Sequence, residues 1–451
     1  MHTSLFSHPL LSALFTFGVA EAMTVAADGF PPPRKAVECT PRTGLPNALA
    51  KLERGGEVRV AYLGGSITDQ AGWRVKSRAW LQQLYPKAKV EEIHAAIGGT
   101  NASLGVLRID HDVFAQRPDL LFVEFAVNDS ATDPQEIAMA MEGIVRKTWN
   151  TFPECDICFV YTFTDGPMMI DDLRAGKFNR SAAVMEVVAD HYGIPSIHLG
   201  LEAIRLELAG KLLMKAPEAK VTKVSGDSLN QRSRAAVGAD GKIPFSNDGV
   251  HPYLDTGHQL YQEAIERSFP SIKAASQRPA PHRPLPAPLT PNLYEASTML
   301  TADRAQLSGP WSKLPADQDT PARWFQNRVD SIWKGEPGAK LTFKFKGTGV
   351  TFYDLVGPDG AKLAVTVDGK TVESTRMDGY CTYQRLATLQ AAAGLDPQQV
   401  HEVSVTVLPE IPDRRDILFP HNRQDMTDHP EKYAGTRWHL GAIFILGNLI
   451  N

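Results

Sequence analysis

EVRVAYLGGSIT, residues 57–68, decides the fold. Its first half alternates, with Val58, Val60 and Tyr62 separated by Arg59, Ala61 and Leu63, the period of a β-strand. The run stops at Gly64-Gly65-Ser66, where two residues without Cβ permit a tight turn and let backbone approach a ligand. A helical pattern follows from Trp73 to Leu84. A serine at the end of an early parallel strand, ahead of a helix, has its hydroxyl in the open and backbone N–H groups nearby. Those are the needs of a nucleophile beside an oxyanion hole. The same turn also suits a phosphate or a plain change of direction, so the stretch by itself leaves the chemistry open.

Outward from this stretch, strands and helices alternate. We read strand 57–63, helix 73–85, strand 89–94, a Gly-rich loop 98–105 and strand 119–125. A helix near 134–150, strand 156–163, a helix near 178–192 and a short strand 195–199 follow. Alternation predicts a parallel sheet covered by helices on both faces, with ligands beyond the carboxyl ends of the strands. Residues 23–50 are Pro-rich and irregular, ending in a short helix from Ala48 to Glu53. The hydrophilic stretch 205–245 reads as an insertion or lid, and Tyr253 to Phe269 as a last helix, with Leu260/Ala264 and Tyr261/Ile265/Phe269 at i, i+4. Prolines 279, 281, 284, 286, 288 and 291 mark a stiff linker. Beyond it, residues 339–375, 402–408 and 438–447 read as short alternating strands, with a hairpin signal at Asp368-Gly369. The expected organisation is a signal peptide at 1–22, an irregular segment at 23–54, an α/β domain at 55–270, a linker at 271–291 and an all-β sandwich at 292–451.

A chain of 451 residues exceeds the size at which one core keeps growing, which agrees with two domains. The net charge of −4 argues against a surface for nucleic acid. Leu10 to Val19 is a short apolar run before Ala20-Glu21-Ala22, a small-x-small site, and predicts export although the basic start is missing. It is too short to span a bilayer, and no other stretch is long and apolar enough, so no membrane partner is expected. Cys155-x-x-Cys158 lies in a strand, not at a helix start, and has no second CxxC. With Cys39 and Cys381 these read as buried thiols, leaving room for one disulfide in an oxidising compartment. His94, His111, His191, His198 and His258 have no metal spacing, and no P-loop or dinucleotide fingerprint appears, so neither metal nor cofactor is expected.

Three further motifs fall where the sheet model needs them. Gly98-Gly99-Thr100-Asn101 follows strand 89–94, Ala126-Val127-Asn128-Asp129 follows strand 119–125, and Asp248-Gly249-Val250-His251-Pro252 precedes the last helix. Singly, each is explained by a turn or a helix cap. Together with GGSIT they resemble the SGNH/GDSL hydrolase family over residues 57–269, four blocks in the family's order. The resemblance implies a flavodoxin-like three-layer α/β/α fold. It also implies Ser66 as nucleophile, Asp248 and His251 as orienting acid and base, and an oxyanion hole from Ser66 N–H, Gly99 and Asn128. Ala126 stands where the family's third block has Gly, and IGGTN lacks a preceding Asn. Gly226-Asp227-Ser228-Leu229 spells GDSL, but no strand precedes it, so Ser66 and not Ser228 is the expected nucleophile. Trp73-Arg74 could lie near the site, although packing of the first helical turn explains Trp73 equally well, and Glu124 or Asp129 could orient the Asn128 loop, with no catalytic role assigned.

GGSIT followed by Gly72-Trp73 resembles saccharide esterases more than lipases, and a jelly-roll-like sandwich after a Pro linker resembles accessory modules of secreted polysaccharide-degrading enzymes. The resemblance thus implies a secreted carbohydrate O-acetylesterase acting on an acylated carbohydrate through an acyl-serine. A broad lipid or aryl esterase of the same fold is an alternative, as is a glycan-binding protein with a vestigial hydrolase domain. Trp324, Trp333 and Trp438 stay open between core and sugar platform, as does the oligomeric state.

Overall fold

The computed structural model describes residues 29–216, 235–238, 240–291 and 293–450. The expected signal peptide at 1–22 and the GDSL spelling with Ser228 lie outside them. The chain opens with β1 (Cys39–Thr40), α1 (Pro46–Glu53), β2 (Glu57–Gly64), α2 (Ser66–Asp69), α3 (Trp73–Leu84) and β3 (Lys89–His94). Next come α4 (Ala102–Asp112), β4 (Leu120–Glu124), α5 (Pro134–Thr151), β5 (Asp156–Tyr161), α6 (Pro167–Arg174), α7 (Arg180–Tyr192) and β6 (Ser196–His198). The α/β part closes with α8 (Leu201–Leu208), β7 (Leu212–Lys215), β8 (Ile243–Ser246) and α9 (Gly257–Ala275).

The main sheet has the order β1-β6-β5-β4-β2-β3, with β1 antiparallel and β2 to β6 parallel. The chain leaves β2 for the β3 edge and then returns past β2 to β4, the flavodoxin-like order. That puts the topological switch point between β2 and β4, where such sheets bind ligands. Every residue of β4 and β5 is buried, which is why both read as continuous apolar runs.

The structure departs from the sequence reading at several places. α4 begins at Ala102, inside the expected loop 98–105, because the Asn101 side chain accepts Leu104 N–H (3.1 Å) and caps the helix. α6 was not anticipated. The ends of the 205–245 stretch are built into the domain: β7 and β8 pair in parallel and bury Leu212, Met214 and Phe245. α9 starts at Gly257 rather than Tyr253 and runs through Pro270 to Ala275, past the expected domain boundary. The proline segment after it lies as a strap on α5. The His282 ring stacks on Trp149 (4.5 Å), and Leu289 and Thr290 N–H donate to the buried Glu142 carboxylate (2.6 and 2.8 Å). All four cysteines are free thiols; burial pushes Cys155 and Cys158 upward.

The C-terminal domain has ten antiparallel strands. They are β9 (Ser297–Thr301), β10 (Gln306–Ser308), β11 (Trp311–Lys313), β12 (Trp333–Gly335), β13 (Lys340–Val356), β14 (Lys362–Val367), β15 (Lys370–Thr375), β16 (Arg385–Ala392), β17 (Val400–Val407) and β18 (Trp438–Ile450). β13 pairs along its length with β18, while its first half pairs β17 and its second half β16. One long strand thereby serves two layers. Asp368 and Gly369, both at positive φ (48° and 78°), close the β14–β15 hairpin. Phe343, Phe345, Phe352, Val403, Trp438 and Ile443 belong to the sandwich core. The opposite face is apolar too: Tyr353, Leu355, Ala442 and Phe444, with Phe325, Val329 and Ile332, join the core of the α/β domain. The two domains therefore share buried apolar surface.

Candidate active site

Gly64 ends β2 and Ser66 begins α2. Neither Gly64 nor Gly65 adopts positive φ; what the turn requires is space. A Cβ on Gly65 would lie 2.0 Å from Asn128 Oδ1, and one on Gly64 would lie 2.8 Å from both the Glu124 carbonyl and Thr68 Oγ1. The Asn128 carboxamide thus rests directly on the turn that carries Ser66. Gly99, in the loop after β3, is exposed and left-handed (φ +74°), with no heavy atom of the described residues within 4 Å of a Cβ position. β3, β2 and β4 are neighbours, so Gly99, Ser66 and Asn128 follow three adjacent strand ends.

The loop between β8 and α9 supplies the rest. His251 Nε2 lies 2.8 Å from Ser66 Oγ, and His251 Nδ1 lies 2.7 Å from Asp248 Oδ2. The other Asp248 oxygen accepts the N–H groups of Val250 (2.9 Å) and His251 (2.8 Å). Burial opposes ionisation of Asp248, but the imidazole N–H and these two backbone donors hold it well below the usual carboxylate range. An ionised Asp248 fixes the proton on Nδ1 and leaves Nε2 to accept the serine proton. Gly249 is left-handed (φ +85°), and a Cβ there would meet Asp165 Oδ1 at 2.2 Å. Asp165 donates its N–H to the Gly249 carbonyl (2.9 Å) and pairs with Lys215 (2.9 Å), bracing the loop. Ser246 Oγ adds an N–H from Gly249 (2.8 Å). Asp165 and Ser246 carry no signal in the sequence beyond their places near strand ends.

Three buried groups support this arrangement from below. Glu124 accepts Thr68 Oγ1 (2.7 Å), Thr162 Oγ1 (2.6 Å) and the Gly65 N–H. Burial raises it and these donors oppose the rise. His258 Nδ1 accepts Trp73 N–H (3.1 Å) and its Nε2 donates to Gln70 (3.0 Å); burial pushes it down to about 3, so it stays neutral. Trp73 itself packs in the core against Tyr62 and Phe122.

Asp129 accepts the N–H of Ala102 (3.2 Å) and the Thr132 hydroxyl (3.1 Å), tying the Asn128 loop to the start of α4. Burial pushes it up to about 7 against those donors. A carboxyl raised on folding stabilises the fold below its unfolded value and loses that contribution as pH rises through 7. We therefore expect Asp129→Asn to remove up to about 4 kcal/mol of the fall in unfolding free energy between pH 4 and 8. Denaturant titrations of both proteins at each pH check this, and parallel curves would exclude it.

A parallel sheet with its site at the β2/β4 switch point, and a serine linked to an imidazole and a carboxylate there, defines an α/β protein of hydrolase type. Residues 62–260 match the model of the GDSL-like lipase/acylhydrolase family. No curated protein matches the chain. Among solved structures it is similar to a two-domain esterase (CEX) active on acetylated mannans, at 19% identity and TM-score 0.64, covering 90% of this chain and 98% of that one. The same esterase co-crystallized with mannopentaose gives 18% identity and TM-score 0.63, covering 92% and 100%. An acetyl xylan esterase, AlAXEase, gives 20% identity and TM-score 0.34, covering 47% of this chain and 98% of that one. The two-domain likeness shows the fold of the α/β domain and the sandwich recurring together.

Proposed function

We propose that the chain is a secreted serine esterase that removes O-acetyl groups from a polysaccharide or oligosaccharide. The observation that carries the reading is the continuous Ser66–His251–Asp248 hydrogen-bonded chain at the switch point. The acetylated-glycan substrate follows the two-domain architecture shared with an esterase active on acetylated mannans.

In this reading Ser66 Oγ attacks the acetyl carbonyl as His251 Nε2 takes its proton. The oxyanion is held by Asn128 Nδ2 and the N–H groups of Ser66 and Gly99. The C–O bond to the sugar breaks and His251 returns the proton to the leaving hydroxyl. Water then attacks acetyl-Ser66 by the same path, giving acetate and free serine. The ionised Asp248 stabilises the imidazolium in both steps.

Acetate release from acetylated mannan and acetylated xylan, set beside cleavage of p-nitrophenyl esters of rising chain length, tests the substrate. Acetate release from a glycan is expected to exceed that from long-chain esters. Preference for long acyl chains would favour a lipid or aryl esterase instead. A second test follows from the missing Cβ at Gly65, whose place lies 2.0 Å from Asn128. Gly65→Ala should displace the carboxamide and lower kcat by about 10²–10³, the cost of one oxyanion donor. Asn128→Ala should do the same, and the double variant should be little worse than either; full additivity would separate the two residues.

A further inference from the structure

The sandwich domain carries a groove of about 730 Å³ that the proposed chemistry does not use. Its rim is aromatic. Trp324 is 55% exposed, yet its indole N–H is tied to Asp319 Oδ1 (2.6 Å), so the ring is held with its surface to solvent. Tyr383 is 39% exposed on the same groove. The other two tryptophans left open by the sequence do not have this placement: Trp438 is buried and Trp333 is half-buried. Between the aromatic residues lies a polar set around Asp359, whose two oxygens accept Arg437 Nη1 (3.0 Å) and Gln384 Nε2 (3.3 Å). Their planar groups are thus oriented before any ligand arrives, as in a preformed small-molecule site.

The charges discriminate among ligands. Arg437 and Lys432 on the groove are offset by Asp359 and Glu431, and Lys432 is also held by Asp425 (3.0 Å). With no cationic excess among the described residues that line the groove, an anion has little to attract it there. A pyranose ring offers the opposite match, a C–H face for an aromatic ring and hydroxyls at its edge for amide, carboxylate and guanidinium groups.

A segment of the sandwich domain runs from the groove wall to the helix that carries Ser66. Trp324 ends the short helix Pro321–Trp324. Within the next turn, Arg328 N–H bonds the Phe325 carbonyl (2.8 Å), and Arg328 Nη2 reaches to 3.9 Å from Asp69. Asp69 is the last residue of α2, which Ser66 begins. One segment of the sandwich domain therefore links the groove wall to the nucleophile's own helix.

We infer that this groove is a subsite for neutral glycan chain, taking unreacted sugar units of the polymer whose acetyl group is at Ser66. The inference rests on the proposed glycan esterase activity and adds where the polymer is held. The test uses the full chain in its Ser66→Ala form, titrated calorimetrically with mannopentaose and xylopentaose. At least one probe should bind, and Trp324→Ala and Tyr383→Ala should each raise its Kd ten-fold or more, with Trp324→Phe restoring most of the affinity. On the Ser66-containing chain, Trp324→Ala should lower kcat/KM on acetylated polysaccharide at least ten-fold relative to p-nitrophenyl acetate, through KM. Binding of neither probe, or Kd values unchanged by both alanine variants, would overturn the subsite. Absence of acetate release by the Ser66-containing chain would overturn the esterase reading instead, and the binding titration would still decide the groove.

Discussion

Ser66→Ala is expected to lower acetyl-ester turnover by about 10⁴–10⁶-fold while the thermal midpoint moves by no more than about 2 °C. The two halves of that expectation have separate causes. In the proposed mechanism Ser66 Oγ is the atom that forms and breaks bonds to the acyl group, so no neighbouring group would replace it. Its hydroxyl is half-buried at a solvent-facing turn, and its loss leaves His251 Nε2 open to water rather than stranded. The backbone of the turn is held independently by Glu124 and by the close packing of Gly65 on Asn128. His251→Ala should cost about as much, and the double variant little more, because the two residues act as one unit. Initial rates on p-nitrophenyl acetate and a thermal melt on each purified variant check all of this. Turnover within ten-fold of wild type in a folded Ser66→Ala protein would exclude Ser66 as nucleophile.

Much of the frame was legible because its signals are local. β2 alternates and stops at two glycines, α5 is opened by Asp133 and Pro134, and the parallel strands are apolar enough to be read from composition alone. The places of Ser66, Gly99, Asn128, Asp248 and His251 were nameable because each follows a strand end or precedes a helix. Their approach across as many as 185 positions could be inferred only from the family's block order. What escaped the sequence depends on tertiary contact. The start of α4 hangs on the Asn101 cap, which looked like one more polar residue of a Gly-rich loop. The proline segment read as a stiff linker between domains, because nothing in its composition announces that Glu142 is buried and takes donors from Leu289 and Thr290.

The glycines show the same division. Gly64-Gly65 was read as a tight turn that lets backbone approach a ligand; neither takes a positive φ, and the room is demanded by Asn128 and the Glu124 carbonyl from the neighbouring strand and by Thr68 within the turn. Glu124 and Asp165 are undistinguished in sequence and become meaningful only when their partners are seen: the Gly65 N–H for one, the Gly249 carbonyl for the other. The sandwich tryptophans could not be sorted before the sheet was in hand, since exposure separates Trp324 from Trp438 and composition does not.

Asp248→Asn is the second large expected effect, about 10⁴-fold in kcat with KM little changed. The reason lies in which way an asparagine must point. In the native loop one carboxylate oxygen accepts two backbone N–H groups and the other accepts the imidazole N–H. Backbone donors cannot reverse their role, so the single amide oxygen of asparagine must face Val250 and His251. Its NH₂ then faces His251 Nδ1 and can only donate. Nδ1 is forced to accept, the ring proton moves to Nε2, and the base presents N–H to Ser66 where it needs a lone pair. Asp248 also contributes to stability: held low in the fold, it stabilises above its unfolded value and loses that contribution as pH falls through the folded one. Asp248→Asn should therefore flatten the acid limb of the wild-type stability curve while leaving a folded protein near neutrality. Replacing Asp165 by Asn, which keeps an oxygen toward Lys215, should cost far less activity, since Asp165 braces the loop without touching the ring. Kinetics of both variants at neutral pH separate the two roles. An Asp248→Asn enzyme within ten-fold of wild type would mean that the imidazole tautomer is set by something other than this carboxylate.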